Sequence, residues 1–239
     1  MHRPNRRVFL KTSGAAIAVS ATAHSFPAFA GRKIKIGVIG AGKIGGAVGG
    51  HWVKAGHTVL FSSRHPDRLK GLVDGLGLRA SAGWPREAAA FGEVILVSVP
   101  YGALPEIGRD FAKEIAGKVV LETGNPFDYR DGPMALAAIA KGVGRASQDH
   151  LPGTRLVRAF NTVPHWNIAD DAHRKGELIA IPLASDDAAA MEIAADLVRD
   201  AGFEPVKVGT LAETAIFDVG SSVWGQSLSA QELRRGLGI

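Results

Sequence analysis

Three glycines at fixed spacing, Gly40, Gly42 and Gly45, are the residues of this chain best suited to hold a phosphate. They end the run Ile34-Lys35-Ile36-Gly37-Val38-Ile39-Gly40-Ala41-Gly42-Lys43-Ile44-Gly45, in which an apolar strand leads directly into G-x-G-x-x-G. Gly40 permits a tight turn out of the strand, and Gly42 lets a pyrophosphate approach the backbone. Gly45 lets the next helix pack on the sheet, with its N-terminal amides facing the phosphates. The flanks agree with a dinucleotide site: Ala47 to Ala55 continues as a helix, Gly56 ends it, and Thr58-Val59-Leu60-Phe61 forms a second strand.

The end of that second strand chooses the nucleotide. An NAD site usually places Asp or Glu about 20 residues after the motif, on the ribose 2′-hydroxyl. This chain has Ser62-Ser63-Arg64 instead, with no carboxylate until Asp67. Two hydroxyls and a guanidinium suit a 2′-phosphate, which Arg grips with a bidentate fork. The expected cofactor is NADP.

Residues 1–30 are set apart from the fold. Asn5-Arg6-Arg7-Val8-Phe9-Leu10-Lys11 is a basic head, Ser13 to Ala23 is mildly apolar, and Ala28-Phe29-Ala30 is a small-x-small cleavage pattern. The paired arginines before Phe-Leu-Lys resemble a twin-arginine export signal, although Asn5 stands where Ser or Thr is commoner. The apolar run is too short and too rich in Ala and Ser to anchor the chain in a bilayer. The expected location is the periplasm of a bacterium.

Removing that segment alters the charge. The whole chain carries 28 basic and 23 acidic side chains, a formal +5. Arg3, Arg6, Arg7 and Lys11 lie in the signal, which leaves 24 basic against 23 acidic. The near-neutral remainder gives no electrostatic basis for nucleic-acid binding. There is no cysteine, hence neither disulfides nor thiolate ligands. His150, His165 and His173 lack tight metal-ligand spacing, so no metal site is expected.

Further along, strand-like runs alternate with helical patterns. They are Glu93–Val99, Lys118–Glu122, Arg155–Phe160, Leu178–Leu183 and Glu204–Val208, with a helix over Asp186–Ala201. Such alternation predicts an α/β fold with a doubly wound, mainly parallel sheet, a Rossmann-like NAD(P)-binding domain over residues 31–214. Pro182 and Pro205 push the last two strands toward the sheet edge. Residues 215–239 read as a C-terminal tail, a lid or an arm that builds a homodimer, with one short helix near Ala230–Arg235.

Ligands of open α/β sheets bind at the carboxyl ends of the strands. Ser98-Val99-Pro100, Glu122-Thr123-Gly124-Asn125-Pro126 and Ala159-Phe160-Asn161-Thr162-Val163-Pro164 should line that crevice. Taken singly, their prolines make rigid turns and their asparagines Asx-turns. His165 follows the third loop and is a weak candidate for a catalytic or substrate role, as is Asn161. A short-chain dehydrogenase would need Tyr-x-x-x-Lys, but Pro105 and Pro133 stand four residues after Tyr101 and Tyr129. A β-hydroxyacid dehydrogenase would need a large second helical domain, which the chain has no length left to supply.

Gly40-Ala41-Gly42-Lys43-Ile44-Gly45, Ser62-Ser63-Arg64, Ser98-Val99-Pro100 and Ala159-Phe160-Asn161-Thr162 fall in the order seen in a known family. The chain resembles the NADP oxidoreductases dependent on coenzyme F420, a deazaflavin, over nearly all of residues 34–210. It is also similar to the nucleotide domain of the six-span membrane metalloreductases. The resemblance implies NADP contacts at Gly40, Gly42, Lys43, Ile44, Ser62, Ser63, Arg64, Ser98, Val99 and Pro100. It puts Asn125 and Asn161 beside the nicotinamide, with a flavin or deazaflavin ring stacked there as electron acceptor or donor. Hydride transfer between such rings needs contact in a dry pocket and no acid or base. The contrasting reading is an exported NADP-binding protein without turnover, a sensor or partner subunit.

One expectation is testable at this level. Replacing Arg6 and Arg7 together by Lys should keep the protein in the cytoplasm with residues 1–30 attached. Processed, periplasmic double variant in a cell fractionation would contradict the twin-arginine reading.

Overall fold

The structure, a computed structural model, describes Met1 and residues 31–239; the export-signal reading of residues 1–30 therefore lies outside the described residues, Met1 apart. β1 (Lys35–Ile39) lies between β2 (Thr58–Ser62) and β4 (Val94–Val97), parallel to both. β3 (Ala80–Gly83) adds beyond β2, and β5 (Val119–Glu122) and β6 (Arg155–Arg158) add beyond β4, all in the same sense. β7 (Ala180–Ala184) meets β6 antiparallel through Arg158↔Ala184, and β8 (Glu204–Gly209) runs parallel to β7 at the far edge. The eight-stranded order is β3-β2-β1-β4-β5-β6-β7-β8. This is the doubly wound, mainly parallel sheet read from the sequence, and its order reverses between β1 and β4.

The helices in chain order are α1 (Lys43–Lys54), α2 (Lys70–Leu76), α3 (Pro85–Phe91), α4 (Leu104–Asp110), α5 (Ala112–Ile115) and α6 (Asp128–Asp131). They continue with α7 (Pro133–Lys141), α8 (Val143–His150), α9 (His165–Asp170), α10 (Ala188–Asp200) and α11 (Ala230–Leu237).

Side-chain alternation along β1 makes two cores. Ile36 and Val38 face a cluster with Val48 and Trp52 of α1 and Ala194, Leu197 and Val198 of α10. Ile39 faces the other cluster, with Ala88 of α3, Leu104 and Ile107 of α4, and Ala146 of α8. Burying such side chains is worth about 1.5–3 kcal/mol each, so both faces of the sheet must be covered. Gly37 serves the second face: a Cβ there would strike the Ala88 carbonyl oxygen, so α3 lies directly on the strand. Trp52 is fully buried and donates from its indole N–H to the Leu197 carbonyl (2.7 Å), joining α1 to α10. At the start of α10, Asp187 accepts from the Ala190 N–H (2.9 Å) and pairs with Arg155 of β6 (2.6 Å). That guanidinium, with the helix amide, holds the Asp187 carboxyl below its usual range against the effect of burial.

Two elements differ from the sequence reading. β3 is absent from it, because Ala80-Ser81-Ala82-Gly83 has neither β-branched residues nor alternation; pairing with β2 alone makes it a strand. β8 is the edge strand expected, but β7 lies one strand in. Pro182 is tolerated there because β6 engages β7 through the single pair Arg158↔Ala184, which asks no donor of residue 182. Residues 215–239 pack on this end of the sheet, where Phe217, Val223 and Leu233 cluster with Ala180, Ala184 and Val206.

A packing prediction follows from α4. Gly108 is buried, and a Cβ there would collide with the carbonyl of His150 at the end of α8. Backbone cannot step aside as a side-chain tip can, so Gly108→Ala should lose about 1–3 kcal/mol. An unchanged midpoint in chemical denaturation would show that α4 and α8 do not meet this closely.

Candidate active site

The β1–α1 loop divides its work among the three glycines. Gly40 sits at φ +94°, and a Cβ on it would strike the Ser98 carbonyl oxygen, so the ends of β1 and β4 touch here. A Cβ on Gly45 would collide with the Gly40 carbonyl oxygen, so α1 can start only with glycine at that point. Gly42, by contrast, has nothing within 4 Å of where its Cβ would be. The first helical bond runs from the Gly46 N–H to the Gly42 carbonyl (2.8 Å), leaving the amides of Lys43, Ile44 and Gly45 ahead of the ladder. No side chain caps this helix start, and no acidic residue stands in its first turn. The positive end of α1 is therefore uncompensated and faces the loop.

In front of it lies a cavity of about 800 Å³, walled by Gly40 and Gly42 from β1, by Ser63 and Arg64 from β2, and by Ser98, Val99 and Pro100 from β4. Eight of the expected cofactor residues thus share one cavity wall, Ser62 being the eighth. Lys43, Ile44 and Gly45 do not line it; what they present is backbone amide at the helix start. Ser62 corrects the sequence reading in part. Its hydroxyl is fully buried and donates to the Val38 carbonyl (2.7 Å), which leaves no hydroxyl there for a phosphate. The polar side chains at the β2 end are Ser63, which accepts from the His65 N–H (3.0 Å) and keeps its proton to donate, and exposed Arg64.

The opposite wall was missed in the sequence, because it comes from α4 and α6. Glu106, Arg130 and Asp131 line it. Asp131 accepts from the Gly102 and Phe127 amides (3.1 and 3.0 Å) and pairs with Arg130 (2.7 Å). Burial opposes its charge, but Arg130 and these amides outweigh burial and hold its carboxyl below the ordinary range. No motif announces such residues; only the fold brings them to the β4 loop.

Asn125 and Asn161 lie outside this cavity, at the ends of β5 and β6, and the structure brings them together. The Asn125 side-chain amide donates to the Asn161 carbonyl (2.8 Å), and the Arg130 guanidinium donates to the Asn125 carbonyl (2.7 Å). The Trp224 indole also donates to the Asn161 carbonyl (3.0 Å). Phe160 reaches this place at φ +58°, a conformation costly for a bulky residue, with its ring held edge-on to Trp52 and Phe203. His165 opens α9, half-buried and edge-on to Trp166, and does not line the cavity.

Behind Asn161 is a cluster that no local sequence pattern announces. Arg158 has no exposed surface. Its guanidinium donates to Glu122, to the Gly124 carbonyl (2.6 Å) and to Asp218 (2.6 Å). Burial alone would favour its neutral form, but the two carboxylates prevail and hold it charged, above the ordinary arginine range. Glu122 also accepts from the Ser147 hydroxyl (3.0 Å), which contacts the Tyr101 hydroxyl (3.2 Å). Burial pushes the Tyr101 phenol up to about 12, so it stays neutral. The Asn161 side-chain amide donates to Asp218 (3.2 Å). Among the described residues, Asn125 Oδ1, Asn161 Oδ1, Asp218 Oδ2 and Arg158 Nε are buried without a hydrogen-bond partner.

Residues 35–126 match the family described as NADP oxidoreductase, coenzyme F420-dependent. The metalloreductase STEAP3 of Rattus norvegicus is 26% identical over 187 residues, which cover 74% of this chain and 34% of the relative. The chain thus spans about a third of that protein's length. Among solved structures, a hypothetical protein from Sinorhizobium meliloti matches with a TM-score of 0.73 at 26% identity, covering 82% of this chain and 95% of that one. A putative F420-dependent NADP reductase from Arthrobacter sp. FB24 matches with a TM-score of 0.64 at 22% identity, covering 76% and 87%. The match over residues 35–126 takes in the glycine loop, the end of β2 and the β4 loop, and over that stretch this chain is similar to the coenzyme F420-dependent NADP oxidoreductases.

Proposed function

We propose that the chain transfers hydride between NADP(H), lying across the β1–α1 and β4 loops, and a planar flavin-like or deazaflavin partner. One observation carries the reading: the uncapped, acid-free start of α1 and the Ser63-Arg64 pair face the same cavity. A dinucleotide phosphate ester needs both, the first for its pyrophosphate and the second for its 2′-phosphate. The residues fit the group, because the space in front of Gly42 is open where any side chain would intrude.

The chain's own residues divide the work as follows. Arg64 and Ser63 read the 2′-phosphate, and the amides of residues 42–45 hold the pyrophosphate. Val99 and Pro100 shape the wall beyond, which directs the nicotinamide toward the ends of β5 and β6. There Asn161 and Asn125 fix its orientation. NADP, when bound, supplies the hydride donor or acceptor carbon. For the partner, Phe127 stacks on Tyr129 with ring centroids 5.3 Å apart and meets the Trp224 ring edge-on at 6.1 Å, next to Asn125. Tyr129 is 81% exposed, an aromatic face open to a planar molecule. The likeness to a putative F420-dependent NADP reductase supports a deazaflavin as that molecule. Export to the periplasm remains part of the proposal and rests on Arg6-Arg7 and Ala28-Phe29-Ala30.

Arg64→Ala should weaken NADPH on the order of ten- to a hundredfold and leave NADH nearly unchanged, because only NADPH has the phosphate that the guanidinium reads. Equal losses for both in a titration would remove Arg64 from that role. Asn161→Leu should lower turnover far more than NADPH affinity, since misplacing a reacting ring by about 1 Å costs on the order of a hundredfold in rate. Turnover is to be followed with a panel of flavins, deazaflavin, quinones and small carbonyls. Reduction of none of them by the wild type with NADPH would favour the binding protein without turnover.

A further inference from the structure

The cluster at the ends of β5 and β6 is not electrically neutral. It holds two carboxylates, Glu122 and Asp218, against one guanidinium, Arg158. All three are buried, with Asp218 only 4% exposed. Of the charged groups on the nearest cavity wall, Arg130 and Asp131 pair with each other and cancel, and Glu106 brings no positive charge. Tyr101 and Ser147, which also touch the cluster, are neutral. One negative charge is left over in a region that water does not screen, so its influence reaches farther than that of a surface carboxylate.

The surplus lies behind the loops at the ends of β5 and β6, where Asn161 touches it. Asp218 Oδ2 and Asn161 Oδ1 have no partner among the described residues, and Asn161 is 3% exposed. These two side chains are bonded to each other (3.2 Å). The chain of contacts from Arg130 through Asn125 to Asn161 links them to the cavity wall. Buried acceptors left unpaired are costly, and they are satisfied by a neighbour that brings N–H donors and no negative charge. A carboxamide on a cationic ring has both properties.

We propose that this surplus charge makes the site hold oxidised NADP⁺ more tightly than NADPH, and so biases the chain toward giving hydride away. The inference rests on the reading that the nicotinamide lies at the ends of β5 and β6. The balance is simple: two electrons and one hydrogen nucleus leave the reduced cofactor for the acceptor, which takes a proton from solvent. The cofactor's charge rises by one in that step, and a fixed negative charge nearby stabilises the product side. The partner is accordingly an oxidant that this chain reduces.

The test is the ratio of dissociation constants for NADP⁺ and NADPH, measured by calorimetry on one preparation, which makes it independent of the folded fraction. The wild type should prefer NADP⁺. Asp218→Asn keeps the shape and removes the charge, and should shift the ratio toward NADPH about tenfold, on the order of one charge acting over several ångströms. Glu122→Gln should shift it in the same direction. Arg64→Ala should weaken both forms alike and leave the ratio unmoved. An unmoved ratio in both carboxylate variants, or a wild type that prefers NADPH, would overturn the inference while an intact Arg64 effect kept the NADP reading. Failure of the wild type to bind either form would overturn both.

Discussion

A guanidinium with no contact with water loses its hydration, and only charge and hydrogen bonds brought to it by the fold can offset that loss. Arg158 is such a group. Its partners come from the end of β5 (Glu122), from the turn after it (Gly124) and from the tail (Asp218), a residue 60 positions away in sequence. Removing both carboxylates would leave the guanidinium buried and unpaired, and letting the tail drift would take Asp218 from it. The pairing therefore decides how β5, β6 and the tail meet, and with them where Asn125 and Asn161 stand. It also brings Trp224 onto the Asn161 carbonyl and against Phe127.

The other end of the crevice is governed by space rather than charge. Gly40, Gly37 and Gly45 each lie where a methyl group would meet backbone atoms: Ser98, Ala88 and the Gly40 carbonyl, respectively. These contacts set β1, β4, α1 and α3 at separations that only glycine allows. The start of α1 is thereby aimed at the gap where the strand order reverses. The molecule thus has a positive mouth, made of helix amides and Arg64, and a negative far end, made of Glu122, Arg158 and Asp218. A dinucleotide, anionic at its phosphates and able to become cationic at its nicotinamide, matches that polarity.

What could be read in the sequence was local. The glycine spacing, the Ser-Arg end of β2 and the β-branched runs each declare themselves within a few residues, because turns, helix starts and buried strands impose short-range patterns. β3 could not be read, since Ala80-Ser81-Ala82-Gly83 becomes a strand only through its neighbour. Ser62 was legible as a position but not as a role, because its inward hydroxyl depends on the Val38 carbonyl across the β1–β2 pair. Glu122 and Arg158 looked like ordinary ends of apolar strands. Their pairing with each other and with Asp218 is a long-range fact, and so is the closure of the cavity by Glu106, Arg130 and Asp131.

One NADP molecule reaching from Arg64 to Asn161 would cover both ends of this crevice. Amide hydrogen exchange with and without NADPH tests it most directly, since it reports on both ends in one measurement. Added NADPH should slow exchange in residues 40–46, 62–65 and 98–102, and also in the loops at 123–127 and 160–163. Protection confined to other surfaces, or absent at saturating nucleotide, would contradict the account.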